Sequence, residues 1–142
     1  MAGITLKGVF AFDTTVILEM LLGTPQGEAL LEALASDSVI AYTSDVNMSE
    51  AGYILCRRLG GKVAAAKINA LSRSNYISII DAVRLRDYVI EQKCSRAIAL
   101  ADCYTLATAK VTGSNALFAF KEEELSREIS RRPFDVQITF LR

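Results

Sequence analysis

The 142-residue chain contains no histidine and no tryptophan. Without an imidazole, Ser-His-Asp and Cys-His nucleophilic schemes cannot be built within the chain, and neither can histidine acid–base catalysis. His-rich zinc sites are excluded for the same reason. Proline and glycine are scarce, at two and eight residues, which argues against a loop-rich chain. Lys plus Arg equals Asp plus Glu at 16 each, so no basic field spreads over the whole chain. That weakens nucleic-acid binding but leaves a local basic face open. No run approaches the roughly 20 apolar residues of a membrane helix. The opening residues "MAGITLKGVF" lack the basic start and small-residue cleavage site of a secretory leader. Cys56, Cys94 and Cys103 are odd in number and form no CxxC, which favours free thiols in a reducing cytoplasm.

Hydrophobic residues make up 51% of the chain and charged residues 23%. That balance is globular, and the length suits one domain over residues 1–142. "KGVFAFD" reads as a buried strand ending at Asp13, followed by a helix over "TTVILEMLLG" that Gly23 can stop. Thr24 and Pro25 suit the start of a second helix. "SVIAYTS" is the next strand, and Ser44 offers an N-cap to "DVNMSEAGYILCRRLG", which Gly60-Gly61 ends. "KVAAAKINALSRS" is helical and "NYISII" extended. "DAVRLRDYVIEQKC" is a helix with Val83, Leu85, Tyr88 and Val89 inward, and "SRAIALADCYTLATAKVTGS" is another. "NALFAF", "KEEELSREISRR" and "FDVQITFLR" complete the order as strand, helix and strand. Strands alternating with helices predict an α/β fold with a mostly parallel sheet of four or five strands, covered by helices on both faces.

Ligands of such sheets gather beyond the carboxyl ends of the strands, at a switch in strand order. Asp13 stands at such an end. Glu50 lies on the helix after the second strand. Asp102 sits among Leu100, Ala101 and Leu106, where a carboxylate is costly to bury without a partner. Glu122, Glu123 and Glu124 follow the fourth strand. Each has a plain structural reading: a helix cap for Asp13, a solvated helix residue for Glu50, and a first-turn acid for the glutamates. Cys103 reads as a small buried residue.

As an ordered set, "FAFDTTVILEMLL", "TSDVNMSEAGYIL", "ALADCYTLATAK" and "NALFAFKEEEL" resemble the PIN domain family, in particular the VapC-type toxins of prokaryotic toxin–antitoxin pairs. The resemblance runs from about residue 8 to the end. It implies a Mg²⁺- or Mn²⁺-dependent endoribonuclease with a small antitoxin as partner. Asp13, Glu50 and Asp102 match the three best-defined acidic positions, and Thr14 or Thr15 matches the hydroxyl after the first aspartate. The fourth position departs from the usual Thr-x-Asp: Phe118 and Phe120 stand there, and Glu122 is the replacement, with Glu123 or Glu124 as alternatives.

Clustered carboxylates repel until a cation neutralises them. An oxygen-only set suits Mg²⁺ or Mn²⁺, whose chemistry on a phosphodiester needs no histidine. Arg57, Arg58, Lys62, Lys67, Arg73, Lys93, Arg96, Arg127, Arg131 and Arg132 are candidate contacts to RNA, or simply solubilising charges. Apolar residues beyond one stripe on the first two helices, including Leu18, Leu21, Leu22 and Leu31, predict a homodimer or an antitoxin helix. A catalytically weak PIN-like module for binding or assembly is the alternative reading. A nucleotide-binding domain is disfavoured because no glycine-rich phosphate loop follows the first strand.

Overall fold

The computed structural model describes residues 6–142. The start of the expected 1–142 domain, and half of the stretch read for a leader, lie outside the described residues. The elements run β1 (Gly8–Phe12), α1 (Thr14–Leu22), α2 (Pro25–Ala35), β2 (Val39–Ser44), α3 (Asp45–Leu59), α4 (Gly61–Arg73), β3 (Ile77–Ile80), α5 (Ala82–Ser95), α6 (Leu100–Thr112), β4 (Asn115–Phe118), α7 (Glu123–Arg131) and β5 (Ile138–Phe140). The five strands form one parallel sheet in the order β3-β2-β1-β4-β5. The chain therefore builds outward from β1 in one direction, then crosses to β4 on the other side. The reversal falls between β1 and β4, where ligand crevices form in open α/β sheets. No helix among the described residues is long and apolar enough to cross a membrane.

Local chemistry sets the element ends. Asp13 accepts from the Thr15 N–H to cap α1, and Gly23 ends that helix at φ 69°, a conformation that costs glycine little. Thr24 caps α2 with Pro25 in its first turn, and Ser44 caps α3. Gly27 marks a close crossing: a Cβ there would sit 2.0 Å from the Glu19 carbonyl oxygen, so only hydrogen lets α2 lie against α1.

The pleat divides the core. Phe10, Phe12, Val39, Ala41, Ile77 and Leu117 face α1–α4, while Ala11, Ile80, Ala116 and Phe118 face α5–α7. Helices thus cover both faces of the sheet. Ile17, Met20, Leu30 and Leu34 are buried in the first layer, with Leu18, Leu21 and Leu31 packed at its margin. Much of the apolar surplus of α1 and α2 is consumed by their own sheet.

Two expectations need correction. Val83 is 63% exposed. It precedes the buried Leu85 by two residues, about 200° around the helix, so it points away from the layer that Leu85 and Val89 enter. The sixth helix begins at Leu100, not at Ser95. Ala99 is extended (φ −64°, ψ 151°), and the stretch before it drops Ile98 into the core.

Candidate active site

Asp13 leaves β1 with only 2% of its surface exposed. Its Oδ2 accepts from the Thr15 N–H (3.1 Å) and from the Thr15 hydroxyl (2.7 Å). Its Oδ1 accepts from the Thr105 hydroxyl (2.7 Å). Thr15 Oγ1 in turn accepts from the Ala119 N–H at 3.0 Å, tying the end of β4 to the same carboxylate. The residue is both a helix cap and a buried acid at the switch point. Burial pushes its carboxyl above the usual range, the Thr105 and Thr15 hydrogen bonds pull it down, and the charge of Glu50 pushes it up again.

Asn47 on α3 and Thr105 on α6 hold the walls together. The Asn47 amide faces Thr14 Oγ1 (3.1 Å), the Ala101 carbonyl (3.2 Å) and Thr105 Oγ1 (3.1 Å). Thr105 has one hydroxyl proton and two acceptors in reach, the Ala101 carbonyl and Asp13 Oδ1. The charged acceptor makes the shorter, stronger bond. Thr14 thus joins α1 to α3, while Thr15 serves Asp13 directly. Glu50 lies three residues beyond Asn47, on the same face of α3.

Asp102 is 6% exposed in the first turn of α6, and no hydrogen bond to its carboxylate occurs among the described residues. Burial raises it first, then the charges of Asp13, Glu122, Glu50 and Glu124, to about 8. Glu122 occupies the N-cap of α7 but makes no cap hydrogen bond. Burial and the charges of Asp13, Glu124 and Glu50 raise it too. The structure therefore brings Asp13, Glu50, Asp102 and Glu122 into one field of like charge at the carboxyl edge. Glu124 adds to it, while Glu123 pairs with Arg127 at 2.9 Å on the exposed side of α7. Among the described residues, no three or more His, Cys, Asp or Glu side chains are grouped closely enough to hold a metal ion as they stand.

The PIN domain model matches residues 10–127. The chain belongs to the PIN domain family. Its fold is similar to that of VapBC2 from Rickettsia felis bound to a promoter DNA fragment, at a TM-score of 0.68 and 14% identity over 94% of this chain and 98% of that one. It is similar also to Mycobacterium tuberculosis VapC20, a sarcin-ricin loop cleaving toxin, at a TM-score of 0.65 and 21% identity over 84% and 95% of the two chains. FitAB bound to a DNA fragment gives a TM-score of 0.50 at 21% identity, over 92% and 94%. At these identities the likeness is one of fold. No curated protein matches the chain.

Several readings of this PIN domain's site change with the geometry. Arg96 is no surface contact but a buried cation beneath Phe134. Arg127 pairs with Glu123 at the exposed surface, and Arg131 with the buried Glu128. Cys103, by contrast, is the small buried residue expected, and burial pushes its thiol up to about 11. Asn47 and Thr105 escaped the sequence reading, although a signal exists. Each shares a helix face with a candidate acid, Asn47 at three residues before Glu50 and Thr105 at three residues after Asp102.

Proposed function

We propose that this PIN domain is a Mg²⁺- or Mn²⁺-dependent endoribonuclease of the VapC type, hydrolysing RNA phosphodiester bonds. The observation that carries the reading is that buried Asp13 and Asp102 and half-buried Glu122 are each raised by burial and by neighbouring carboxylates, Glu50 among them, with no basic side chain among the strongest influences on the three. A buried cluster of this kind is unstable alone and favours a cation. Its donors are all oxygen, which fits a hard divalent ion. Mg²⁺ keeps several waters and is commonly held by one or two carboxylates plus substrate phosphate, so it does not require a three-carboxylate cage. Asp13 and Asp102 would be the main ligands, with Glu50 and Glu122 supporting. When bound, the ion supplies positive charge against the phosphodiester.

The chain's own residues do the positioning. Thr15 and Thr105 fix both oxygens of Asp13, so the carboxylate cannot rotate away from the crevice. Asn47 locks α3, which carries Glu50, to α6, which carries Asp102. The same proposal includes one domain over residues 1–142, a cytoplasmic location, a homodimer and a small antitoxin as partner. The VapBC2 and FitAB structures support the antitoxin by their likeness in fold. A binding module without activity is the second reading, favoured by Phe120 standing where the family has an acid. Purified wild type and Asp13→Asn, compared on unstructured RNA with Mg²⁺, with Mn²⁺ and with chelator, decide between the two. Cleavage by wild type alone, lost in chelator, supports the nuclease; no cleavage in any metal supports the binding module.

A further inference from the structure

Phe120 is the one exposed phenylalanine of the six, with 41% of its surface free. Its place follows from the strand register. Phe12 pairs with Leu117, so Asp13 and Phe118 leave the sheet side by side. Phe118 pairs with Phe140, and the Leu141 N–H bonds the Phe118 carbonyl (2.9 Å), so residues 119–122 and 141–142 leave over the same edge. Ala119, just before Phe120, donates its N–H to the Thr15 hydroxyl that serves Asp13. Glu122, two residues after it, shares the acidic field. Phe120 is thus fixed at the rim of the crevice, between two groups that define it.

One cation reaches this ring. The Arg142 guanidinium lies 5.9 Å from its centroid, steered by Glu19 at 3.8 Å. Lys121 follows in sequence, its ammonium 5.6 Å from the Phe140 ring. Burying Phe120 in the core would have been the ordinary use of a phenylalanine after a strand. An exposed aromatic with basic neighbours beside a phosphodiester-cleaving crevice is instead the chemistry that holds single-stranded nucleic acid: bases stack on the ring and cations meet the backbone.

We propose that Phe120 is a stacking platform for an unpaired base of the RNA next to the scissile phosphate, with Lys121 and Arg142 contacting the flanking phosphates. The inference rests on the nuclease reading and deepens it to a single-stranded substrate. Phe120 is a positioning residue here, acting on the substrate's binding and not on the reacting atoms. Because every base has a π-face, the platform is indifferent to base identity.

The chain lacks tryptophan, so Phe120→Trp creates a single-tryptophan reporter. Wild type, Phe120→Ala and Phe120→Trp are titrated with a labelled oligoadenylate, with calcium present to neutralise the acids. A matched ribose–phosphate oligomer without bases serves as the second probe. Phe120→Ala should weaken oligoadenylate binding about tenfold. It should leave binding of the abasic probe unchanged. Phe120→Trp should bind as wild type or better, with its emission quenched by oligoadenylate and not by the abasic probe. In cleavage, Phe120→Ala should raise KM with kcat nearly kept. Equal oligoadenylate affinity in wild type and Phe120→Ala, or an unquenched Phe120→Trp that binds, overturns the platform alone and leaves Phe120 to protein contact. No oligoadenylate binding by any of the three overturns the nuclease reading with it.

Discussion

The two ends of α7 handle charge in opposite ways. At its carboxyl end Arg96 and Glu128 are both buried, and nearly every donor and acceptor is matched. The Arg96 guanidinium donates to Gln92 Oε1 (3.0 Å) and to the carbonyls of Glu128, Arg132 and Pro133, and stacks 3.6 Å above the Phe134 ring. Glu128 pairs also with Arg131 at 2.7 Å, which holds its carboxyl below the usual range. At the amino end of the same helix, Glu122 joins Asp13, Glu50 and Asp102, and the charges that act on Asp102 most strongly are all negative. One region is complete within the chain and staples α5 to α7. The other has no basic side chain among its strongest influences, and in the proposed function a cation supplies its counter-charge. A buried charge by itself therefore says little about function; a buried charge left without its counter-ion says more.

The sharpest way to break this contrast is to remove charge from the acidic end and measure chemistry. Asp13→Asn, Asp102→Asn and Glu50→Gln keep shape and lose a negative ligand. Each should lower metal-dependent RNA cleavage about a thousandfold, about 4 kcal/mol in the barrier. Single-turnover rates on a labelled oligonucleotide check this. Variants cleaving within a few-fold of wild type would make the cluster a structural feature like its counterpart.

The converse test targets stability. Arg96→Met removes the buried cation and keeps its apolar stem. It should destabilise the fold by about 3 kcal/mol, because Gln92 Oε1 and three carbonyls lose a donor and Glu128 loses one of its two cations. Arg131 still faces Glu128, which keeps the loss at the low end of the range for broken buried pairs. A lower urea midpoint at unchanged slope is the expected signature. Cleavage per folded molecule should change little.

The acidic end should respond to pH in the opposite sense from a stabilising ion pair. Asp102 titrates near 8 in the fold, against an ordinary aspartate value near 4 when unfolded. Between those values the folded state keeps a proton that the unfolded state has lost. Stability of the metal-free protein therefore falls as pH rises from about 4 to about 8, and the loss is absent below that window. Asp102→Asn should remove its own share of this slope, Asp13 and Glu122 keeping theirs, and stabilise the chelated protein by about 2 kcal/mol at pH 8, with little effect at pH 4. Thermal unfolding with chelator checks the sign, and added Mg²⁺ should narrow the gap by binding only the wild type. Asp13→Asn should gain less, because three hydrogen bonds already support that carboxylate and the amide cannot accept them all.

Much of this was legible before any geometry. The alternation of "FAF" with helical "TTVILEMLL" is local, and so are Thr24, Ser44 and Gly23 as caps; a mostly parallel sheet of four or five strands followed from such signals, and the fold has five, all parallel. What stayed hidden depends on contacts far apart in sequence. Thr105 reaches Asp13 across 92 residues, and its place one turn after Asp102 marks the helix face without naming that distant partner. Arg96 reads as one more surface arginine until α7 and the Pro133–Phe134 turn close over it. Val83 fits an apolar stripe as well as Leu85 does, and only the side on which α6 lies chooses between them.

The smallest expected effect sharpens the comparison most finely, because it lies within the acidic run itself. Glu122, Glu123 and Glu124 are equal as letters but not in place. Glu123 is spent on Arg127. Glu122, at the N-cap without a cap bond, and Glu124, one residue into the first turn beyond it, both act on Asp102. Glu122→Gln should therefore lower cleavage only about fivefold, about 1 kcal/mol, since Glu124 keeps part of the negative field and the amide keeps the shape. Glu123→Gln should leave cleavage unchanged. Glu122→Gln combined with Glu124→Gln should lose more than the two single effects together, since each residue covers for the other. Cleavage rates across a Mg²⁺ titration read this directly: the double variant should need more metal, whereas Glu123→Gln should trace the wild-type curve. A double variant that behaves as the simple sum would assign the fourth acidic position to Glu122 alone.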